Sequence, residues 1–499
     1  MPTTESKLLS KIDHIVVIML ENRSFDHMLG FLYHDEGNRS PRGQPFEGLT
    51  GDESNSNAEG ETFKVYPLKI DDPYLYFTPH ADPGEGFWNT LSQLYGHHRN
   101  PNPVVAPTNQ GFVTNYAYTL DWQSKSSGWH IWPGARPDGI MAMHTRETLP
   151  VLSSLARGYA VCDHWYCSLP TETVPNRAFL HMATSEGILK DLKGFVYTTP
   201  SIYPALSKQG ATWRVYKYGD RDANLTRQGI SDLVHAADSH FGDFDDFQTA
   251  AADGTLANYS FLEPAFGPDG NSEHPNYNVS AGEQFLYAIY QTLVRSAVWD
   301  KTLLIITYDE HGGCYDHVPP PANAAPPVIS RKPDYGFDFK RFGVRVPTVL
   351  VSPWIEAGTV YRTSELDGYQ PGKGDPATAP TPFDHTSILK TLEVRFQVPS
   401  LTARDAAAPH VGGVLSRTSA RTDNVLAAVT PPSAQAPGTD GPREPGHLNE
   451  MIAHHLSQVP DPFADGHQGE MPHFERGRDM MDWALARYKR YRQWQRSNQ

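Results

Sequence analysis

Two apolar runs in the chain end abruptly in groups that can hold a cation. Residues 14–20, HIVVIML, lead straight into Glu21 and Asn22, and residues 302–308, TLLIITY, lead into Asp309, Glu310 and His311 before a Gly-Gly pair. Each run reads as a strand covered on both faces. Two neighbouring carboxylates at such an end repel each other unless a cation or a proton intervenes. Carboxylates and an amide without cysteine favour hard divalent cations such as calcium, magnesium or manganese over a thiolate zinc site. A third segment, SLPTETVPNRAFLHMATS (168–185), offers Thr171 and Thr173 just before Pro175, Asn176, Arg177 and a helical run. A hydroxyl at a helix start lies where anions bind, and coordination to a divalent metal makes its alkoxide accessible as a nucleophile. Each feature also has a plainer use: Ser24 or Asp26 as a helix cap, Asp309 and Glu310 as a solvated loop, either threonine as a cap. Arg177 can pair with a phosphate or buttress the acids, and the buttress is the favoured reading.

These groups need elements to hold them. The stretches KTLLIITYDEHGG (301–313) and VRVPTVLVSPWIEAG (344–358) repeat the pattern of strand and polar turn. Helical spacing appears in 282–299, with Gly282 before it, and in 385–398, which opens on a Thr/Ser cap. Strands alternating with helices imply a largely parallel α/β sheet, whose ligands bind at the carboxyl ends of the strands. Residues 36–62 read as a surface loop, and 99–140 and 190–272 as rims over the site. The division expected is a catalytic domain at 1–400 with rim insertions, a linker-like extended segment at 401–447, rich in Ala, Pro, Thr and Gly, and a helical extension at 448–499. Its helix, 477–496, is basic towards its end; its aromatics are expected to dock on the body, with peripheral membrane contact as the other use.

With 499 residues the chain can bury a large core. Its formal charge of −15 argues against a nucleic-acid partner. Cys162, Cys167 and Cys314 form neither a CxxC pair nor a disulfide framework. The first ten residues are polar and show no secretory signal, so the expectation is an intracellular chain or one exported without a cleaved leader.

The segments ENRSFDHMLG, TVPNR, EHPNYNVSAGEQF, YDEHGGCYDHV, RVPTVLVSPWIEAGTV and FDHTSILKTLEVRF resemble, in order and across residues 12–398, the phosphoesterase family of bacterial phospholipases C, related acid phosphatases and plant non-specific phospholipases C. The resemblance implies an alkaline-phosphatase-like three-layer α/β/α core with a mostly parallel sheet. It implies one divalent metal ion (calcium, magnesium, manganese or zinc) held by Glu21, Asn22, Asp309, Glu310 and the nucleophile. By position that nucleophile is Thr173 and not Thr171. Asn22 would also donate to a phosphoryl oxygen. His274 matches a histidine the family uses near phosphate, which makes it the first candidate for proton transfer, with His311 the second. Asp384 and His385 also recur in the pattern, His385 as a helix cap or orienter.

One departure stands out. Many members carry a histidine after Asp-Pro-Gly where this chain has Glu85, so its substrate contact is expected to be absent or to pass to His80. The function implied is a metal-dependent phospholipase C acting on a phospholipid or other phosphate ester through a phosphothreonine. The alternatives are an acid phosphatase and an inactive membrane-docking protein. Aromatic-rich segments such as 116–134, expected at the rim, favour a choline diester over a dianionic monoester.

Overall fold

The apolar runs form the strands of one sheet. In chain order these are β1 His14–Leu20, β2 Ala160–Val161, β3 Trp213–Lys217, β4 Phe241–Asp243, β5 Tyr259–Glu263, β6 Thr302–Tyr308, β7 Val349–Val351 and β8 Thr359–Val360. The computed structural model describes residues 8–97, 105–126, 129–366, 371–372, 375–433, 446–458, 472–474 and 476–497. Residues 99–104 and 127–128 of the expected rim, 434–445 of the linker-like segment and 459–471 of the C-terminal extension lie outside the described residues.

The eight strands lie in the order β8-β2-β7-β6-β1-β5-β3-β4, and all but β7 run parallel. Every residue of β1 from Ile15 onward is buried, so both faces of the sheet centre are covered. The main helices are α1 Phe87–Tyr95, α2 Phe112–Lys125, α3 Pro150–Gly158, α4 Thr173–Met182, α5 Val279–Val294, α6 Thr386–Phe396, α7 His447–Ser457 and α8 Gly477–Ser497. α3 packs on α5, and α4 on α6. This is the expected α/β architecture with a mostly parallel sheet.

Register decides where chemistry can occur. Leu20 lies beside Tyr308, Ile18 beside Leu262, and Glu263 beside Lys217. The carboxyl ends of β6, β1, β5 and β3 therefore stand side by side, and the residues after them share one crevice.

Two elements differ from the sequence reading. α5 starts at Val279, where the Asn278 side chain accepts from the Ser280 amide, so Gly282 lies inside the helix and not before it. Glycine is required there for space: a Cβ would meet Glu273 Cγ at 2.1 Å. Residues 401–433 are not uniformly extended: Thr402 and Asp405 form a capping box on the helix Ala403–Ala407, and Val411, Val414, Leu415 and Leu426 enter the main core. Scattered anchors in an Ala/Pro-rich background carry no periodicity to read. At the C-terminus, Met480, Ala484 and Tyr488 of α8 pack with Leu448, Met451 and Ile452 of α7, and with Leu225 and Phe266 of the body.

A buried ionic cluster locks the loop after β6 to the segment after β1. Arg345 bridges Asp26 and Asp316 at 2.9 Å each, and His317 Nδ1 meets Asp26 Oδ2 at 2.6 Å. Burial opposes the charge on His317, but Asp26 outweighs it and the imidazole is pushed up to about 10. Between the ordinary histidine value near 6.5 and about 10 the native state holds the extra proton, so stability falls as pH rises through that window. We expect wild type to lose on the order of 1 kcal/mol or more between pH 6.5 and 9.5 that His317→Gln does not lose. Urea unfolding of both at several pH values reads the two slopes; parallel slopes would exclude this linkage.

Candidate active site

The acids after β1 and β6 meet because the strands are neighbours. Asn22 adopts φ 56°, a left-handed conformation that asparagine tolerates. The turn aims its amide N–H at Asp309 Oδ1, 2.9 Å away. Its side chain then faces outward: Oδ1 accepts from Thr173 Oγ1 at 3.0 Å, and Nδ2 donates to Glu85 Oε2. Gly312, at φ +60°, makes this approach possible, since a Cβ there would lie 2.0 Å from the Asn22 carbonyl oxygen. Gly312→Ala must displace Asn22, and should lower kcat/KM for a phosphodiester by roughly tenfold or more together with Tm. Wild-type kinetics in that variant would show that the contact tolerates the methyl group.

Asp309 is held from several sides. Arg177 Nε donates to its Oδ2 at 2.9 Å, and the Asn22 and Glu310 amides donate to Oδ1. Arg177 Nη2 also binds the Met19 and Leu20 carbonyls at 3.1 Å, the buttress arrangement and not an outward-facing one. His385 Nε2 reaches the Asp309 carbonyl oxygen at 2.6 Å; it orients this turn and makes no side-chain cap to α6. Burial pushes Asp309 up to about 7, with Arg177 opposing and Glu21 adding to it. Burial, then Glu85 and Asp309, hold Glu310 well above the carboxylate range.

Thr171 and Thr173 separate cleanly. The Thr171 hydroxyl is buried and donates to the Leu189 carbonyl at 2.6 Å. Thr173 opens α4 and faces Asn22. His274 faces Glu85, the partner of Asn22, with Nε2 3.6 Å from Glu85 and Nδ1 3.8 Å from Asp82. Burial works against the charge of His274, but Asp82 and Glu85 overcome it and raise the ring to about 10. His311 instead lies fully buried behind Glu310, with Nε2 2.7 Å from Gln93 Oε1, and burial lowers it to about 3. His80 is not brought to this set. It lines a separate cavity of about 270 Å³ with Tyr66, Asp72, Tyr116 and Arg136, and its Nε2 has no hydrogen-bond partner among the described residues.

Several neighbours escaped the sequence reading. Arg23 is buried and pins the loop before His274 by donating to the carbonyls of Glu273 (2.5 Å), Thr78 (2.5 Å) and His274 (3.0 Å). Lys217, at the end of β3, lies 3.9 Å from Glu263, and burial lowers it to about 8. Beside Thr173, the Asp191 carboxylate caps the Val174 amide at 2.8 Å and meets His447 Nε2 at 3.0 Å, while Glu172 accepts from the Asp191 amide. The signal for Lys217 was its place at a strand's carboxyl end; Asp191 and His447 had none.

The donor set suits a hard cation. Glu21 Oε2 and Glu310 Oε1 are buried with no hydrogen-bond partner among the described residues, beside a second carboxylate and an amide oxygen. Such orphaned acceptors are costly unless a cation or proton satisfies them. Among the described residues, the triads whose ligand atoms lie within 4.8 Å of one another are Asp82–Glu85–His274 at the mouth and Asp26–Asp316–His317 in the ionic cluster; Glu21, Asp309 and Glu310 are not drawn that close together. The second is already neutralised by Arg345.

The model of the Phosphoesterase family matches residues 12–399, which include every residue of this site except His447. The chain belongs to the Phosphoesterase family. This phosphoesterase is 36% identical over 425 residues to non-specific phospholipase C1 of Arabidopsis thaliana, covering 80% of the chain and 70% of the relative. It is 31% identical to phospholipase C B of Mycobacterium tuberculosis, over 87% and 81% of the two chains. Non-hemolytic phospholipase C of Burkholderia pseudomallei is 25% identical, over 77% and 55%. Among solved structures, a Vibrio parahaemolyticus protein in the alkaline phosphatase superfamily aligns with a TM-score of 0.31 and 14% identity, over 52% of this chain and 64% of that one. The protein is a phosphoric ester hydrolase.

Proposed function

We propose that this phosphoesterase is a phospholipase C-type phosphodiesterase that cleaves phospholipids, phosphatidylcholine first among them, into diacylglycerol and the phosphorylated headgroup, with 1–400 as the catalytic unit. The observation that carries the reading is the Thr173 hydroxyl, hydrogen-bonded to Asn22, which Glu85 links in turn to His274. Phospholipase C relatives from a plant and from bacteria support the same class.

Thr173 Oγ, its proton released to solvent and regained when the phosphothreonine is hydrolysed, attacks phosphorus as the P–O bond to diacylglycerol breaks and the alkoxide departs. Charged His274 gives that oxygen its proton. Asn22 Nδ2, released from Glu85, donates to a phosphoryl oxygen, where charge develops. Water then hydrolyses the phosphothreonine, His274 taking its proton. Glu21, Asn22, Thr173, Asp309 and Glu310 would hold one divalent ion, which supplies positive charge that acidifies the threonine hydroxyl and neutralises the phosphoryl oxygens. Arg177 acts through Asp309, and Glu85 orients Asn22 and His274.

Cations at the site favour a diester. Arg23, Arg177 and Lys217 each already donate to protein carbonyls or carboxylates, and of their buried nitrogens Arg177 Nη1 alone has no partner among the described residues, which leaves little for the second charge of a monoester. At the mouth, burial opposes the charge of Glu85 but His274 holds it in its charged form, and it suits a quaternary ammonium. The test compares kcat/KM for p-nitrophenylphosphorylcholine and p-nitrophenyl phosphate. A diester preference of roughly tenfold or more is expected; a clear monoester preference assigns the chain to the acid phosphatases.

A further inference from the structure

Two groups of aromatic side chains stand exposed on segments tied to the acidic mouth and have no role in the chemistry above. In one pair, Trp88 of α1 and Tyr335 meet with ring centroids 5.0 Å apart, 36% and 43% exposed. They are held at the mouth: Trp88 follows Glu85 by three residues, and Gly86 packs against the Glu172 carboxylate. The same loop carries exposed Val328 and Ile329, and the Val328 carbonyl is tied to Thr184 Oγ1 at 2.8 Å. In a second pair, Trp122 of α2 and Trp129 meet at 5.3 Å, 46% and 43% exposed. Tyr118, one helical turn before Trp122, is exposed on the same helix face. Gln123 Nε2 donates to the Asp82 carbonyl at 2.6 Å, fixing this pair beside the mouth. The aromatics expected at the rim thus divide: Tyr116 and Trp132 are buried, while Tyr118, Trp122 and Trp129 face outward.

Four exposed indole and phenol rings on segments tied to one site are an unusual use of apolar surface in water, where large exposed apolar groups mark interaction sites. Tyr and Trp suit the boundary between headgroups and acyl chains, with an apolar body and a polar tip. We infer that Trp88–Tyr335 and Trp122–Trp129 form an interfacial docking surface that seats the mouth of the site on a zwitterionic phospholipid surface. Charge selects the surface: a chain of net −15 is repelled by anionic membranes. Among the described residues no helix is long and apolar enough to cross a membrane, so attachment through these rings is peripheral. The inference rests on the phospholipase reading and adds how the lipid is reached.

The test uses the full chain and sucrose-loaded vesicles of pure phosphatidylcholine or of phosphatidylglycerol. Two double variants, Trp122→Ser/Trp129→Ser and Trp88→Ser/Tyr335→Ser, are compared with wild type for sedimentation with vesicles, self-association and turnover of soluble p-nitrophenylphosphorylcholine. Each pair should lower partitioning onto phosphatidylcholine roughly tenfold, with soluble turnover within about twofold of wild type and Tm preserved. Brominated lipids should quench wild-type tryptophan fluorescence more than that of either variant. Unchanged partitioning in both variants overturns the inference. So does a preference for phosphatidylglycerol, or a wild-type dimer that the substitutions dissolve without altering vesicle binding. If wild type binds phosphatidylcholine through these rings yet hydrolyses no soluble diester, the docking surface stands and the phospholipase reading falls.

Discussion

Thr173→Ala is expected to abolish diester hydrolysis, by roughly four orders of magnitude or more in kcat, while leaving the fold intact. The hydroxyl opens α4, where its loss costs little: among the described residues its one hydrogen bond is to Asn22, and the Val174 amide is capped by Asp191 instead. A nucleophile removed from an otherwise complete site leaves only binding and electrostatics, hence the large rate effect with a small change in Tm. Thr171→Ala should behave oppositely. Its hydroxyl satisfies the Leu189 carbonyl in a fully buried place, so its loss should cost about 1–2 kcal/mol of stability and less than about tenfold in rate. Wild-type enzyme quenched in turnover should carry phosphate on the peptide containing Thr173. Near-normal rates in Thr173→Ala, or phosphate on another residue, would overturn the assignment of the nucleophile.

What the sequence revealed and what it hid follow one physical division. Glu21, Asn22, Asp309 and Glu310 were legible because each follows an apolar run, and parallel strands bring their carboxyl ends together. Thr173 was distinguished from Thr171 only by resemblance; the local pattern fits both, and their different partners, Asn22 and Leu189, come from distant parts of the chain. Nor does any local rule place His447 of α7 against Asp191, or Arg23 on three carbonyls of two other loops. These contacts are set by tertiary packing. The departure at Glu85 shows the same limit. Its carboxylate enters the site, binding Asn22 and facing His274, whereas His80 turns into a cavity of its own.

Removing divalent metal should cost nearly all activity, by about three orders of magnitude or more, with recovery on adding back an ion that accepts oxygen ligands. The argument begins with the orphaned oxygens. Glu21 Oε2 and Glu310 Oε1 are buried without hydrogen bonds among the described residues, and Asp309 lies beside them. Burial, with neighbouring carboxylates adding to it, pushes Asp309 and Glu310 towards protonation. A protonated pair would leave Thr173 an ordinary alcohol, a poor nucleophile. An ion bound only by the folded state would add stability by mass action, about 2.7 kcal/mol at a hundredfold excess over Kd. Exhaustive chelation should therefore lower Tm as well as rate, and add-back of calcium, magnesium, manganese or zinc should restore both, with about one ion per chain by elemental analysis. Glu310→Gln should reduce that stoichiometry and the metal-induced rise in Tm, a readout independent of turnover. Arg345→Ala offers the contrast: it breaks the ionic cluster around Asp26 and should lower Tm without changing metal content. Full turnover by protein verified as metal-free would mean that Arg177, Lys217 and His274 carry the charge stabilisation alone, and that the buried acids serve some other end.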